Sequence, residues 1–225
     1  MSGPAAGAGA RCSAARVLSA LNVALLVIVA AALPASAEAQ ARPEPETGTI
    51  RGVLAHRIAQ RLPAAVYIAA TDGAQTAPNG VNPVMDQINL TYTPHVLPVL
   101  VGATIDFPNS DETRHNVYTA KSSVCQFNLG IYDAGVVKHV KCDTPGVIML
   151  LCNVHAEMRG FIIVSPTPYF DTTDEAGEFV IEGVPPGTYR LTFEHERLEA
   201  KELEVTVRAG AESHVEFTGL GRKRS

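Results

Sequence analysis

The chain has 225 residues, of which 46% are hydrophobic and 18% charged, and its formal net charge is −5. A mildly acidic chain without a basic face is not typical of nucleic-acid-binding proteins. The sequence also lacks a Gly-x-Ser-x-Gly elbow, a phosphate-binding loop and a dinucleotide fingerprint, so the common hydrolases and nucleotide-dependent enzymes are not indicated.

The first segment predicts export. Arg11 and Arg16 precede an apolar run over 17–33, and residues 35–37 (Ala-Ser-Ala) have the form of a signal peptidase site. The run is short for a membrane-spanning helix, which needs about 20 residues. We therefore expect a cleaved signal peptide over 1–37, a periplasmic or otherwise exported protein, and no stable membrane span; an uncleaved anchor is the alternative. Cleavage would lower the formal net charge from −5 to −7.

The chain that follows predicts an all-β protein. Residues 38–47 are rich in Ala, Pro and Glu without apolar periodicity, which is typical of a flexible tether. From Gly48 onward, short candidate strands alternate with turn clusters, and no long amphipathic helix is indicated. We expect a first β-sandwich module over 48–165.

Four residues near the end of this module predict a metal site. Cys152, His155 and Met158 are spaced three residues apart on a short loop between two apolar runs, and His115 lies upstream. Thiolate and thioether ligands suit Cu(I), imidazole suits Cu(II), and a trigonal site with a weak axial Met serves both oxidation states. The set therefore predicts one mononuclear blue-copper centre.

Other interpretations of these residues remain open. Zinc also binds Cys and His, but a thioether contributes little to a zinc site, so Met158 argues against zinc. A binuclear copper centre would need a second thiolate four residues before Cys152, where the chain has Ile148. Taken singly, the Cys and the Met could be ordinary core residues.

The metal loop carries a family resemblance. Residues 152–158 (Cys-Asn-Val-His-Ala-Glu-Met), with the stretch 107–117 before them, resemble the copper loop of the cupredoxins, with the short Cys-to-His-to-Met spacing of the amicyanins. The resemblance extends roughly over 47–164 and implies a Greek-key cupredoxin β-sandwich. It implies a type 1 copper ion and transfer of single electrons between redox partner proteins, without enzymatic turnover of a substrate.

The resemblance also implies a role for each residue. His115, Cys152 and His155 would be the equatorial ligands, and Met158 the axial one. Asn116 would tie the loop of the first His to the Cys-bearing loop by hydrogen bonds. His155, on the loop, would be the port for electrons.

The remaining cysteines predict a disulfide. Cys12 leaves with the signal peptide, and an odd number of three remains in an oxidising compartment. If Cys152 binds copper, Cys125 and Cys142 are free to pair, and their bridge would stabilise the fold by about 3 kcal/mol. The alternative is two reduced, buried thiols.

A second module is expected over 166–220. Residues 174–191, with the Pro185-Pro186-Gly187 turn, resemble the carboxypeptidase regulatory-like, transthyretin-like β-sandwich family, which implies a structural or interaction role in a smaller sandwich. This segment has only about four candidate strands. One hypothesis is that residues 49–68 complete it.

Two smaller features close the chain. His195, between two glutamates, could bind a second metal, although its charged neighbours favour a solvated turn or strand end. Residues 221–225 form a basic tail for which disorder is expected.

The alternative function is a periplasmic copper carrier, or a surface- or carbohydrate-binding protein with a structural copper site.

Overall fold

The computed structural model describes residues 46–71 and 80–224, and every regular element in these ranges is a β-strand. The all-β prediction is therefore confirmed. The predicted signal peptide (1–37) and most of the predicted tether (38–47) lie outside the described residues. Among the described residues, no helix is long and apolar enough to cross a membrane.

Sixteen strands are described. The first eight are β1 (Gly48–Leu54), β2 (Ala65–Ile68), β3 (Asp86–Ile88), β4 (Thr91–Thr93), β5 (Val96–Leu100), β6 (Thr104–Pro108), β7 (His115–Thr119) and β8 (Asn128–Tyr132). The others are β9 (Val137–Lys141), β10 (Gly146–Leu151), β11 (Arg159–Ser165), β12 (Phe170–Thr172), β13 (Glu178–Val184), β14 (Gly187–Glu194), β15 (Glu202–Val207) and β16 (Glu212–Phe217).

The middle of the chain forms a first sandwich. Its largest sheet has the order β5-β11-β10-β7-β8, and the two-stranded ladders β6-β9 and β3-β4 complete it. These elements share one core, whose fully buried side chains include Met85, Ile105, Phe107, Ile148, Leu150 and Ile162.

Strand β11 is buried on both faces, which explains its continuous apolar run. Ile162 and Val164 belong to the core of the first sandwich. Phe161 and Ile163 point the other way and pack with Ala65 of β2 in a separate apolar cluster. At β11 and the neighbouring β5, the outer face of this sheet is therefore covered by the second module.

The two ends of the described chain form a second sandwich. One sheet has the order β13-β1-β16 and the other the order β12-β2-β14-β15. Strand β1 runs antiparallel to β13 and parallel to β16, and β2 runs antiparallel to β12 and β14. Its core combines residues of the first two strands with three C-terminal phenylalanines: Ile50, Leu54, Val66, Ile68, Phe179, Phe193 and Phe217.

This pairing corrects the expected start of the first module at residue 48. Residues 48–68 belong to sheets of the C-terminal module, in agreement with the hypothesis that 49–68 complete it. An alternating apolar pattern shows that a strand has an inner face, but it does not show which sheet the strand joins. The first sandwich is thus inserted between β2 and β12 of the second.

Polar contacts at one carboxylate join the two sandwiches. Glu196 Oε2 lies 3.2 Å from His95 Nε2, and Glu196 Oε1 lies 3.4 Å from Arg159 Nη1. The Glu196 side chain is only 11% exposed. Because Arg159 begins β11, this contact fixes the second module against the end of the first that carries the metal loop.

A disulfide closes the first sandwich. Cys125, between β7 and β8, is bonded to Cys142, directly after β9, with an S–S distance of 2.01 Å. Cys142 is buried in the core. The remaining cysteine among the described residues, Cys152, is a free buried thiol.

Candidate metal centre

The candidate centre lies where two neighbouring strands meet a tight loop. Strands β10 and β11 pair up to Leu151 and Arg159, which leaves the seven residues of 152–158 to connect them. His115 begins β7, which pairs with β10 at Leu151. The sheet register therefore brings one distant histidine next to a loop that carries three candidate ligands.

Three of these side chains converge. The donor atoms of His115, Cys152 and His155 all lie within 4.8 Å of one another. His115 Nδ1 is 3.1 Å from His155 Nδ1, and Cys152 Sγ is 4.0 Å from His155 Nδ1. His115 is fully buried and Cys152 is buried, whereas His155 is half-buried. Of the three side chains, His155 is therefore the one that reaches the surface.

A carboxylate selects the donor atom of His115. Asp111 Oδ2 lies 2.8 Å from His115 Nε2, and because an ionised carboxylate only accepts hydrogen bonds, Nε2 carries the proton. His115 Nδ1 then has a free lone pair that points at His155 Nδ1. Two bare nitrogens at 3.1 Å would repel each other, so a proton or a metal ion must lie between them.

The residues fit one copper ion. Two imidazole nitrogens each about 2.0 Å from a common ion enclose an angle of roughly 100° when they are 3.1 Å apart. Two imidazoles and a thiolate are the donor set that copper accepts in both oxidation states. The thiol of Cys152 is available for this role because the other two described cysteines are bonded to each other.

Met158 lies at the end of the same loop. Its side chain is 1% exposed and belongs to the same apolar cluster as Cys152. Its backbone N–H donates to His155 O at 3.1 Å, which closes the loop into a turn. The Met158 side chain is therefore buried in the core at the end of the loop that carries Cys152 and His155.

Asp111 is held by a turn that the sequence analysis did not single out. The backbone N–H groups of Asn89 and Leu90 donate to its two carboxylate oxygens at 3.0 and 2.8 Å. Both turn residues have positive φ, 53° and 61°, an uncommon conformation for a leucine. Burial alone would raise the pKa of Asp111, but hydrogen bonds from Leu90, His115 and Asn89 outweigh it and lower the pKa.

Asn116 differs from its expected role. Its side-chain amide donates to Asn128 Oδ1 at 2.7 Å, across the β7-β8 pair. Its own Oδ1 is buried without a hydrogen-bond partner. The expected hydrogen bonds from Asn116 to the Cys152 loop are therefore not found among the described residues.

Tyr92 provides the link that was expected of Asn116. Its hydroxyl donates to Leu151 O at 3.0 Å and lies 3.5 Å from Asn116 O. Burial raises the pKa of Tyr92, so the hydroxyl keeps its proton. A Cβ at Gly160 would lie 2.8 Å from Tyr92 Cβ, so only glycine lets this side chain pack against β11.

His195 is not available as a ligand. Its Nε2 donates to Leu62 O at 3.1 Å, and its Nδ1 accepts from the N–H groups of Arg197 and Leu198 at 2.8 and 3.1 Å. Burial is the main cause that lowers the pKa of His195. It is a neutral, buried residue directly after the end of β14, so the expected strand end is found, but the side chain is not solvated and has no free nitrogen for a second metal.

Comparisons with known proteins address both sandwiches. Residues 162–219 match the family model described as the carboxypeptidase regulatory-like domain, which confirms that resemblance. Strands β1 and β2, which complete this sandwich, fall outside the matched range. None of the curated proteins matches the chain.

Several solved structures are similar to parts of the chain. A purple cupredoxin from Nitrosopumilus maritimus is 22% identical, with a TM-score of 0.35 and coverage of 37% of this chain and 100% of that one. A reduced amicyanin variant is 21% identical, with a TM-score of 0.35 and coverage of 44% and 98%. A copper-containing nitrite reductase from Thermus scotoductus SA-01 is 21% identical, with a TM-score of 0.36; the match covers 43% of this chain and only 25% of that one.

Proposed function

We propose that the chain is an exported electron-transfer protein that holds one type 1 copper ion at His115, Cys152 and His155, with Met158 as the axial ligand. The observation that carries the proposal is the convergence of two Nδ1 atoms and one free thiol within 4.8 Å. When bound, copper would supply a one-electron couple between Cu(I) and Cu(II).

The surrounding residues would keep the ligands in place. Asp111 holds the ring of His115 in one tautomer, and Tyr92 ties the strand end before Cys152 to β4. Ligands that do not move between oxidation states favour fast electron exchange, because little reorganisation accompanies each transfer. A site closed by four protein side chains offers no position to a substrate, so we do not propose an enzymatic activity.

His155 is the proposed port for electrons. It is half-buried, while His115 and Cys152 are buried. Its neighbour Val154 is 45% exposed, which would give a redox partner protein an apolar contact beside the imidazole.

Export is supported by the cysteines. A disulfide between Cys125 and Cys142 is typical of an oxidising compartment such as the periplasm. We propose that the signal peptide over 1–37 is removed, so that the working protein comprises residues 38–225.

The test is the visible spectrum of residues 38–225 with one equivalent of Cu(II), followed by cyclic voltammetry. We expect an intense thiolate-to-copper band and a reversible potential. The band should be lost in Cys152→Ser and retained in His139→Gln, which alters an exposed histidine of the same sandwich.

A colourless complex with Cu(II) would refute the electron-transfer proposal. Copper that binds and exchanges readily without a reversible potential would indicate a carrier. Tightly held copper without a reversible potential would instead indicate an interaction protein with a structural copper site, which the match of residues 162–219 to a carboxypeptidase regulatory-like domain favours.

A further inference from the structure

The loop between β1 and β2 carries two arginines beside a tight turn. The N–H groups of Arg61 and Leu62 both donate to Ile58 O at 3.0 Å. Arg57 directly precedes this turn, Arg61 lies in it, and both residues line one surface pocket. Both residues are exposed.

The loop is anchored in the second sandwich. Ala59 is buried, and Ile58 packs against the core. Leu62 O accepts the hydrogen bond from buried His195, and His56 Nδ1 accepts from Ile58 N at 3.1 Å. The backbone that carries the two arginines is therefore held both by packing against the core and by hydrogen bonds.

A third cation comes from the C-terminal segment. Arg222 forms a β-bridge with Leu198, and the neighbouring backbone is held by bonds of 2.9 Å from Glu199 N to Gly221 O and from Lys223 N to Arg197 O. Arg222 and the loop form the walls of an open pocket of about 500 Å³. The pocket is lined by Ala55, His56, Arg57, Ile58, Arg61 and Arg222.

No carboxylate in the described ranges lies within 4.0 Å of these three arginines. Five of the seven other described arginines do lie within 4.0 Å of an Asp or Glu: Arg51, Arg114, Arg159, Arg190 and Arg197. The two that do not, Arg208 and Arg224, lie outside the pocket. Guanidinium groups that line one pocket repel each other, and an anion bound between them would relieve this repulsion.

We propose that this pocket binds a small phosphate-bearing anion through Arg57, Arg61 and Arg222. A guanidinium presents a planar fork that matches two oxygens of a phosphate, and charge-assisted bonds of this kind are the strong ones. The pocket volume lies within the range of about 300–1,000 Å³ that is usual for small ligands. The site is separate from the metal centre and does not depend on the proposed copper chemistry.

The test is isothermal titration of residues 38–225 with inorganic pyrophosphate, at an ionic strength kept constant with chloride. We expect binding by the native protein and at least about tenfold weaker binding by the double variant Arg57→Gln/Arg61→Gln. Arg222→Gln should weaken binding by itself. The matched control is Arg190→Gln/Arg208→Gln, which removes two exposed arginines of the same sandwich outside the pocket and should bind like the native protein.

The same variants identify the source of the phosphate. Flotation with vesicles of phosphatidylglycerol and phosphatidylcholine in equal parts, against phosphatidylcholine alone, tests a lipid headgroup. If the native protein floats with the phosphatidylglycerol vesicles and the pocket variants do not, the site binds a membrane headgroup. If the native protein binds pyrophosphate but does not float with these vesicles, the site binds a soluble anion. Absence of binding by the native protein, or equal binding by the double variant and its control at unchanged unfolding midpoints, would overturn the proposal.

Discussion

Replacement of Asp111 by Asn tests how the metal centre is held. The carboxylate accepts from Asn89 N and Leu90 N and from His115 Nε2, at 3.0, 2.8 and 2.8 Å. In an amide, one of the two oxygens becomes an NH₂ group, so at least one of the three donors must face another donor. The net loss of one such bond at this partly exposed carboxylate costs about 0.5–1.5 kcal/mol.

For a chain of this length, that loss corresponds to a decrease in Tm of about 1–6 °C in the metal-free protein. His115 would also lose its fixed tautomer, and changes to a residue that orients a metal-binding histidine weaken metal affinity by about 10–100-fold. We expect both effects in Asp111→Asn, measured by thermal unfolding without metal and by copper titration against a competing chelator.

The control for this variant is Asp133→Asn. Asp133 is a carboxylate of the same sandwich whose side chain is 78% exposed and 3.7 Å from Arg114, so the charge change is the same without the hydrogen bonds that Asp111 accepts. If Asp111→Asn matches this control in both Tm and copper affinity, the argument that Asp111 orients His115 is refuted.

Three further predictions concern other parts of the chain. Met158→Gln should lower the reduction potential and keep the thiolate-to-copper band, and an unchanged potential in voltammetry would contradict an axial Met. Removal of the Cys125–Cys142 bridge, which closes a 17-residue separation, should cost about 3 kcal/mol in urea unfolding. Because the pKa of His195 is lowered on folding, its contribution to stability is complete above its unfolded pKa of about 6.5 and is lost as the pH falls below that value. His195→Gln should therefore flatten the decline in unfolding free energy between neutral and acidic pH, and an equally steep decline would contradict a buried neutral imidazole.

The ligands on the metal loop could be predicted from the sequence because their spacing is local. Cys152 and His155 lie on seven residues between two strands that pair with each other, so a short segment determines their proximity. His115 is distant in the chain, and it entered the predicted ligand set through the chemistry of its imidazole and the resemblance to cupredoxins, not through local spacing. Its approach depends on the pairing of β7 with β10, which no local pattern specifies.

The support around the ligands was not predictable for the same reason. Asp111 is held by a turn near residue 90, and Tyr92 reaches Leu151 O across 59 positions of the chain. Asn116 was assigned a partner by resemblance, but the strand that lies beside β7 offers Asn128 instead. His195 has charged neighbours in the sequence, yet its ring is buried. The ring can be buried because it donates to Leu62 O, which lies 133 positions away in the chain.

The insertion of one sandwich into the other sets the order in which the chain can assemble. Arg51 of β1 meets Glu212 of β16 across 161 positions, so the loop that separates these strands is most of the protein. Closing so long a loop is slow while the intervening chain is disordered. Once the inserted sandwich has folded, it holds the chain ends near Tyr67 and Phe170 at the spacing of one strand pair. The N-terminal strands β1 and β2 lack their partners β12, β13 and β14 until the inserted sandwich has been synthesised, so this sandwich serves as the scaffold on which the surrounding domain closes.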